Sequence, residues 1–186
     1  EVINQTRRVH IITLEDPIEY IFLPASAFIS QRELGRDFSS FPDAVRSALR
    51  EDPDILLAGE IRDRATMEAA LMAAATGILV LGTLHTRSAA QAAMRVESMF
   101  PADVRDAVRA QFADAVTGIF AQRLLPRVGG GRAAAFEVLR AVPAVRNIVR
   151  NGQYGQLSSV MMSGAEQGMQ TSEMAEAMLR SKGIIV

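Results

Sequence analysis

With 186 residues, 49% of them apolar, the chain can bury a proper core and is too apolar for a disordered segment. That length fits one domain, or one domain with a small appendage. The net charge of −1 leaves no chain-level footprint for direct nucleic-acid binding. The lack of cysteine excludes disulfides and thiolate-bound zinc, and no apolar stretch reaches the ~20 residues of a transmembrane helix. Lys182 is the single lysine, so arginine carries nearly all the positive charge.

Residues 1–8 read as the end of a helix already under way, which suggests a piece of a longer polypeptide. Residues 9–14 form a strand by composition. Residues 20–40, with Pro24, Gly35 and Ser39-Ser40, read as a connection containing one short strand, Ala27–Gln31. Phe41-Pro42 opens a helix to about Arg50, proline being suited to a first turn, and Asp52-Pro53-Asp54 breaks it. An apolar strand follows from Ile55. Residues 65–76 are strong helix formers, and Gly77 closes that helix. A third strand begins at residue 78. Ser88-Ala-Ala-Gln91 fits a capping box for a helix to about Met99, and Pro101 starts another through Asp103–Ile119. Gly129–Gly131 marks a tight turn, and Arg132–Leu139 reads as a strand. Three short helices are expected near 143–150, 154–162 and 171–181. The alternation over residues 9–139 predicts an α/β fold with a mostly parallel sheet flanked by helices, and residues 140–186 an all-helical region.

Three apolar runs end in polar, ionisable residues: Ile11–Pro17, Ile55–Asp63 and Ile78–Thr86. In open α/β sheets ligands bind beyond the carboxyl ends of the strands. Glu15, Asp16 and Glu60 would therefore share one rim. Carboxylates gathered there can hold Mg²⁺ and orient or deprotonate a water. Thr83 and His85 alternate along their strand and should point the same way, where an imidazole could stabilise a phosphate. His10 reads as structural.

These segments carry a resemblance. Thr13–Glu19 (Thr-Leu-Glu-Asp-Pro-Ile-Glu) is similar to the Asp box of secretion-type ATPases. Ala48–Asp63 resembles their atypical Walker B segment and Gly77–Thr86 their His box. The resemblance continues through Gly168-Met-Gln-Thr171 and points to the branch of PilT-like retraction motors of type IV pili. It implies a partial RecA-like core over residues 1–139 and a helical C-terminal region over 140–186. By resemblance, Glu60 would work around the metal and the γ-phosphate. Glu15 would position or activate water, and His85 would contact the phosphate region. Glu60 and Glu15 are the implied Mg²⁺ residues. Asp16, Thr83, Arg62 and Arg50 are the further nucleotide-site candidates, the two arginines as salt-bridge partners or as contacts across a subunit interface. ATP and Mg²⁺ are the implied ligands. The implied assembly is a homohexamer acting on an inner-membrane pilus platform protein, cytoplasmic and peripherally bound to that membrane.

Pro143–Arg150 (Pro-Ala-Val-Arg-Asn-Ile-Val-Arg) resembles a motif of retraction motors. Its physics is visible in isolation: Val145, Ile148 and Val149 share one helical face, and Arg146 and Arg150 share another. Arg146, Asn147 and Arg150 are the implied coupling residues. The cysteine-bearing zinc module of the assembly and type II secretion relatives has no counterpart here, which disfavours that branch. A type II or type IV secretion or competence motor, and a non-catalytic assembly module, remain the alternatives. Met174, Ala175, Met178 and Leu179 form a stripe expected to pack in the core.

Two departures stand out. No G-x-x-x-x-G-K-[S/T] phosphate loop occurs, and Lys182 lacks the context to replace its lysine. The 186-residue chain alone is therefore expected neither to bind ATP tightly nor to hydrolyse it. The second histidine usual in the His box is Ile78 here.

Overall fold

In the computed structural model, which describes residues 1–186, the first apolar run becomes β1 (His10–Glu15), preceded by a single helical turn, α1 (Val2–Thr6). The expected short strand is β2 (Phe28–Glu33). Helix α2 (Phe41–Ala48) starts with Pro42 in its first turn, and a 3₁₀ turn at Leu49–Glu51 follows it. Strand β3 (Ile55–Ala58), helix α3 (Arg64–Ala75) and strand β4 (Leu79–Gly82) complete the series. The four strands form one parallel sheet in the order β2-β1-β3-β4.

These elements make the first of two compact units, Glu1–Leu84. Its core is the inner set Ile12, Leu14, Val45, Ala48, Leu56, Ala69 and Ala73, where α2 and α3 cover β1 and β3. Ile12, Leu14, Val45 and Leu56 are fully buried, each contributing about 2 kcal/mol of apolar transfer. Asn4 ties α1 to the 20–27 connection: its amide donates to the Leu23 carbonyl, and its Oδ1 accepts the Ala25 N–H.

The second unit, His85–Val186, contains α4 (Ala89–Ser98), α5 (Arg105–Ala115), β5 (Gly118–Pro126), β6 (Arg132–Arg140), α6 (Pro143–Arg150), α7 (Leu157–Ser163) and α8 (Ser172–Ser181). Here two expectations fail. The helix predicted through Ile119 stops at Ala115, and the nine residues from Gly118 are a strand. The following strand does not join the parallel sheet; β5 and β6 pair antiparallel as a separate hairpin. The hairpin turns at Gly129-Gly130-Gly131, whose φ angles of 83°, 104° and 76° lie in the region only glycine enters freely.

The core of this unit gathers Ala93, Ala113, Leu139, Val145, Ile148, Val149, Leu157, Met161 and Met169. Of the expected α8 stripe only Ala175 is fully buried, and Met178 is 43% exposed. Residue 139, the end of the expected ATPase-core segment, lies inside β6. No helix is long and apolar enough to cross a membrane.

Candidate functional site

Parallel pairing puts the carboxyl ends of β1, β3 and β4 at one rim of the first unit. Leu14 is level with Ala58, and Ala58 with Gly82. Glu15 is the last residue of β1, Glu60 follows β3 by two residues, and Thr83 follows β4 directly.

The backbones come very close here. The Gly59 N–H donates to the Leu14 carbonyl at 2.7 Å. A Cβ on Gly59 would stand 2.8 Å from that same oxygen and 3.3 Å from Glu15 Cα. Glycine before Glu60 is therefore a steric requirement, and it lets the two strand ends converge. Thr83 Oγ1 donates to the Gly59 carbonyl and the Ile61 N–H donates to the Thr83 carbonyl. The β4 end thus clamps the Gly59–Ile61 turn. Thr83, expected to touch nucleotide, spends its hydroxyl on that turn.

One guanidinium joins the acids. Arg62 Nη2 lies 2.5 Å from Glu60 Oε2 and Arg62 Nη1 lies 3.5 Å from Asp16 Oδ2. The hydrogen bond to Glu60 raises the Arg62 pKa above its ordinary value. Of the sequence candidates, Asp16, Glu60 and Arg62 form one cluster.

Glu15 is held differently. Its Oε1 accepts from Thr13 Oγ1 at 2.6 Å and from Gln31 Nε2 at 2.9 Å. Thr13 is two residues back on the same strand face, and Gln31 is its register partner on β2. Gln31 also donates to the Tyr20 carbonyl, and its Oε1 accepts the Phe22 N–H. Sequence reading missed Gln31. Its only signal was a polar residue in a short strand. The Asp16–Pro17 bond is cis.

Arg50 stands elsewhere. It belongs to the 3₁₀ turn before β3, a strand's length from Glu60 and at the opposite rim. That rim also holds a cavity of about 500 Å³, lined by Arg8, His10, Ser26, Phe28 and Asp54 among others. His10 is anchored there: its N–H donates to Asp54 and its ring nitrogen Nδ1 contacts the Glu51 carbonyl. His85 opens the second unit.

The carboxylates of Glu15, Asp16 and Glu60 are the hard oxygen donors Mg²⁺ takes. No group of three or more His, Asp, Glu or Cys side chains is placed to hold a metal by itself. Carboxylate oxygens are of the type that suits an ion keeping part of its water shell, as Mg²⁺ does.

The implied coupling residues lie on α6. Val145, Ile148 and Val149 are buried as expected. The arginines are engaged within the unit. Arg146 Nη1 donates to the Ala113 and Asp114 carbonyls at 2.5 and 2.8 Å, and its Nε donates to the Ala141 carbonyl. Arg150 pairs with the Asp114 carboxylate. Arg146 therefore caps the C-terminal end of α5, where the helix presents unpaired carbonyls and negative potential, while Arg150 adds a side-chain ion pair at the same end. Asn147 is exposed, and its Oδ1 accepts from Asn151.

Comparison with known proteins places these motifs in context. The model of the family described as "Type II/IV secretion system protein" matches residues 1–172. The "Type IV pilus retractation ATPase PilT" of Pseudomonas aeruginosa is 44% identical over 185 residues, covering 100% of this chain and 54% of that protein. The "Twitching motility protein" of Neisseria gonorrhoeae is 45% identical over 184 residues, covering 98% of this chain and 49% of that protein. Among solved structures, the "Pilus Retraction Motor PilT and Bound ADP" superimposes with a TM-score of 0.91 at 45% identity, over 100% of this chain and 52% of that one. The chain spans about half the length of the curated relatives it matches.

Proposed function

We propose that this chain, which belongs to the type II/IV secretion system protein family, is part of an ATP-hydrolysing motor that powers type IV pilus retraction. The observation that carries this reading is the tie of Asp16 and Glu60, from adjacent parallel strand ends, onto Arg62 at one rim. The retraction and twitching functions named for relatives that align along nearly the whole chain support the cargo. The ADP named with the similar structure supports a nucleotide as ligand.

Phosphoryl transfer to water depends on positioning and electrostatics more than on covalent participation by the protein. Glu60 and Glu15 would hold Mg²⁺, which would supply neutralising charge at the phosphates. Glu15, fixed by Thr13 and Gln31, orients the attacking water and accepts its proton. Glu60 is kept in place by Arg62. Thr83 holds the Gly59–Ile61 turn that carries Glu60. His85 stabilises charge in the phosphate region. The assembly is a homohexamer, cytoplasmic and peripheral to the inner membrane, working through a platform protein.

The test is Glu60→Gln in a polypeptide that includes the phosphate-binding loop. Steady-state turnover falls about 10²–10⁴-fold, the scale of a positioned acid–base group. Unchanged turnover removes Glu60 from the mechanism. The 186-residue chain alone shows no turnover above background; robust hydrolysis by it would contradict the need for a separate phosphate loop.

A further inference from the structure

Glu137 is the one charged residue among the buried set, at 6% exposure. It interrupts an otherwise apolar strand, Ala133-Ala134-Ala135-Phe136-Glu137-Val138-Leu139, and no cation pairs with it. A buried carboxylate without a counter-ion is costly unless donors replace its hydration. Two donors do so, and they come from different helices. Oε1 accepts the Ala89 N–H at 2.6 Å, and Oε2 accepts Ser172 Oγ at 3.0 Å. Ala89 is the first residue of α4 and Ser172 the first of α8. Helix N-termini carry unpaired N–H groups and positive potential, which favour an anion at each position.

The backbone makes this junction rigid on the α8 side. Val138 and Gln170 exchange N–H···O bonds of 2.8 and 3.0 Å, and Gln170 Nε2 donates to the Phe136 carbonyl at 2.7 Å. The Gly168–Thr171 segment is thus bound along β6 on both sides of Glu137. Thr171, 5% exposed, caps α8 by accepting the Met174 N–H. On the α4 side the local cap is thinner. Ser88 accepts the Gln91 N–H at 3.2 Å, and Gln91 Oε1 reaches back to the Arg87 N–H rather than to Ser88. The capping box is displaced by one residue, and Glu137 supplies the charged acceptor at the start of that helix.

We propose that Glu137 is a positioning residue for the His85–Ser88 segment: one carboxylate ties the first turn of α4 to the first turn of α8. The location of α8 then sets the path by which the chain passes from His85 into α4. The tie itself rests on this geometry; its consequence for hydrolysis rests on the role given to His85 above.

Amide hydrogen exchange on the 186-residue chain tests the tie. In Ser172→Ala, exchange at Ala89 accelerates about 3–10-fold although residue 172 lies on another helix. Glu137→Ala accelerates it further, and adding Ser172→Ala to that variant changes nothing more. Glu137→Gln, which keeps an acceptor oxygen, retains most of the protection and serves where the alanine variant fails to fold. Exchange at Ala89 that ignores Ser172→Ala, or effects that simply add in the double variant, overturns the tie. A polypeptide that includes the phosphate loop tests the consequence: Glu137→Ala lowers kcat about 10-fold with KM within ~3-fold, and Glu137→Gln restores most of it. Unchanged kcat in Glu137→Ala overturns the positioning of His85. Unchanged turnover in His85→Ala, with the exchange pattern intact, overturns the role given to His85 and leaves the tie standing.

Discussion

In the first unit the acids at the strand ends share a solvent-exposed arginine, although the Glu60 side chain is itself only 16% exposed. Arg62 is 63% exposed and Asp16 32%, and the same arginine serves two carboxylates. In the second unit charge is spent on helix ends instead. Arg146 sits on the carbonyls that close α5, Glu137 on the first turns of α4 and α8, and Arg109 bridges Glu97 and Asp106. The difference separates groups available for chemistry from groups that hold architecture. Exposed ion pairs contribute little to stability because water already solvates both partners. Donors that satisfy helix-end carbonyls contribute more, because removing them strands those acceptors.

That contrast can be broken by substitution. Arg146→Ala is expected to lower unfolding stability by about 2 kcal/mol, since three carbonyl contacts lose a charged donor; urea denaturation measures it. A loss too small to resolve would mean that α6 offers its arginine to a partner rather than to α5. Arg62→Ala, by contrast, leaves the urea midpoint unchanged while reducing turnover in a polypeptide that includes the phosphate loop. A large midpoint shift would erase the distinction between the two units.

A smaller effect is expected from Tyr154. Its hydroxyl donates to Glu97 at 2.6 Å. Burial first, and then this bond, push its pKa well above the ordinary phenol range. A folded-state pKa raised above the unfolded value adds stability that is fully present below about pH 10. It is lost as pH rises from there toward the folded value. Tyr154→Phe is therefore expected to flatten the alkaline decline of stability above about pH 10, at a cost of about 1 kcal/mol at neutral pH. An alkaline melting series that matches the parent's would show that Tyr154 does not carry that dependence.

Much of the fold was legible because local signals were strong. Asp52-Pro53-Asp54 and Gly77 punctuated the elements that became β3, α3 and β4, and the 143–150 helix followed from its apolar face. Strand β5 was not legible. Val116–Pro126 follows an amphipathic helix with no proline between them, and its status as a strand depends on pairing with β6, a partner outside any local window. The candidate site divided similarly. Asp16, Glu60 and Arg62 stood out because ionisable residues closed apolar runs. Gln31 and Glu137 did not, because each acquires its role only from a strand or helix distant in sequence. Arg50 and Arg62 flank the same strand in the sequence, and only the fold shows that β3 carries them to opposite rims.

By itself the sequence determined the order of strands and helices, β5 excepted, and the acids that end the apolar runs, since both follow from short-range periodicity and turn chemistry. Only the tertiary structure decided which side chains meet. Whether Arg62 bridges two acids, Arg146 caps α5 or Glu137 joins two helices depends on strand register and helix packing. Those are set by the burial of the entire core, not by any one segment.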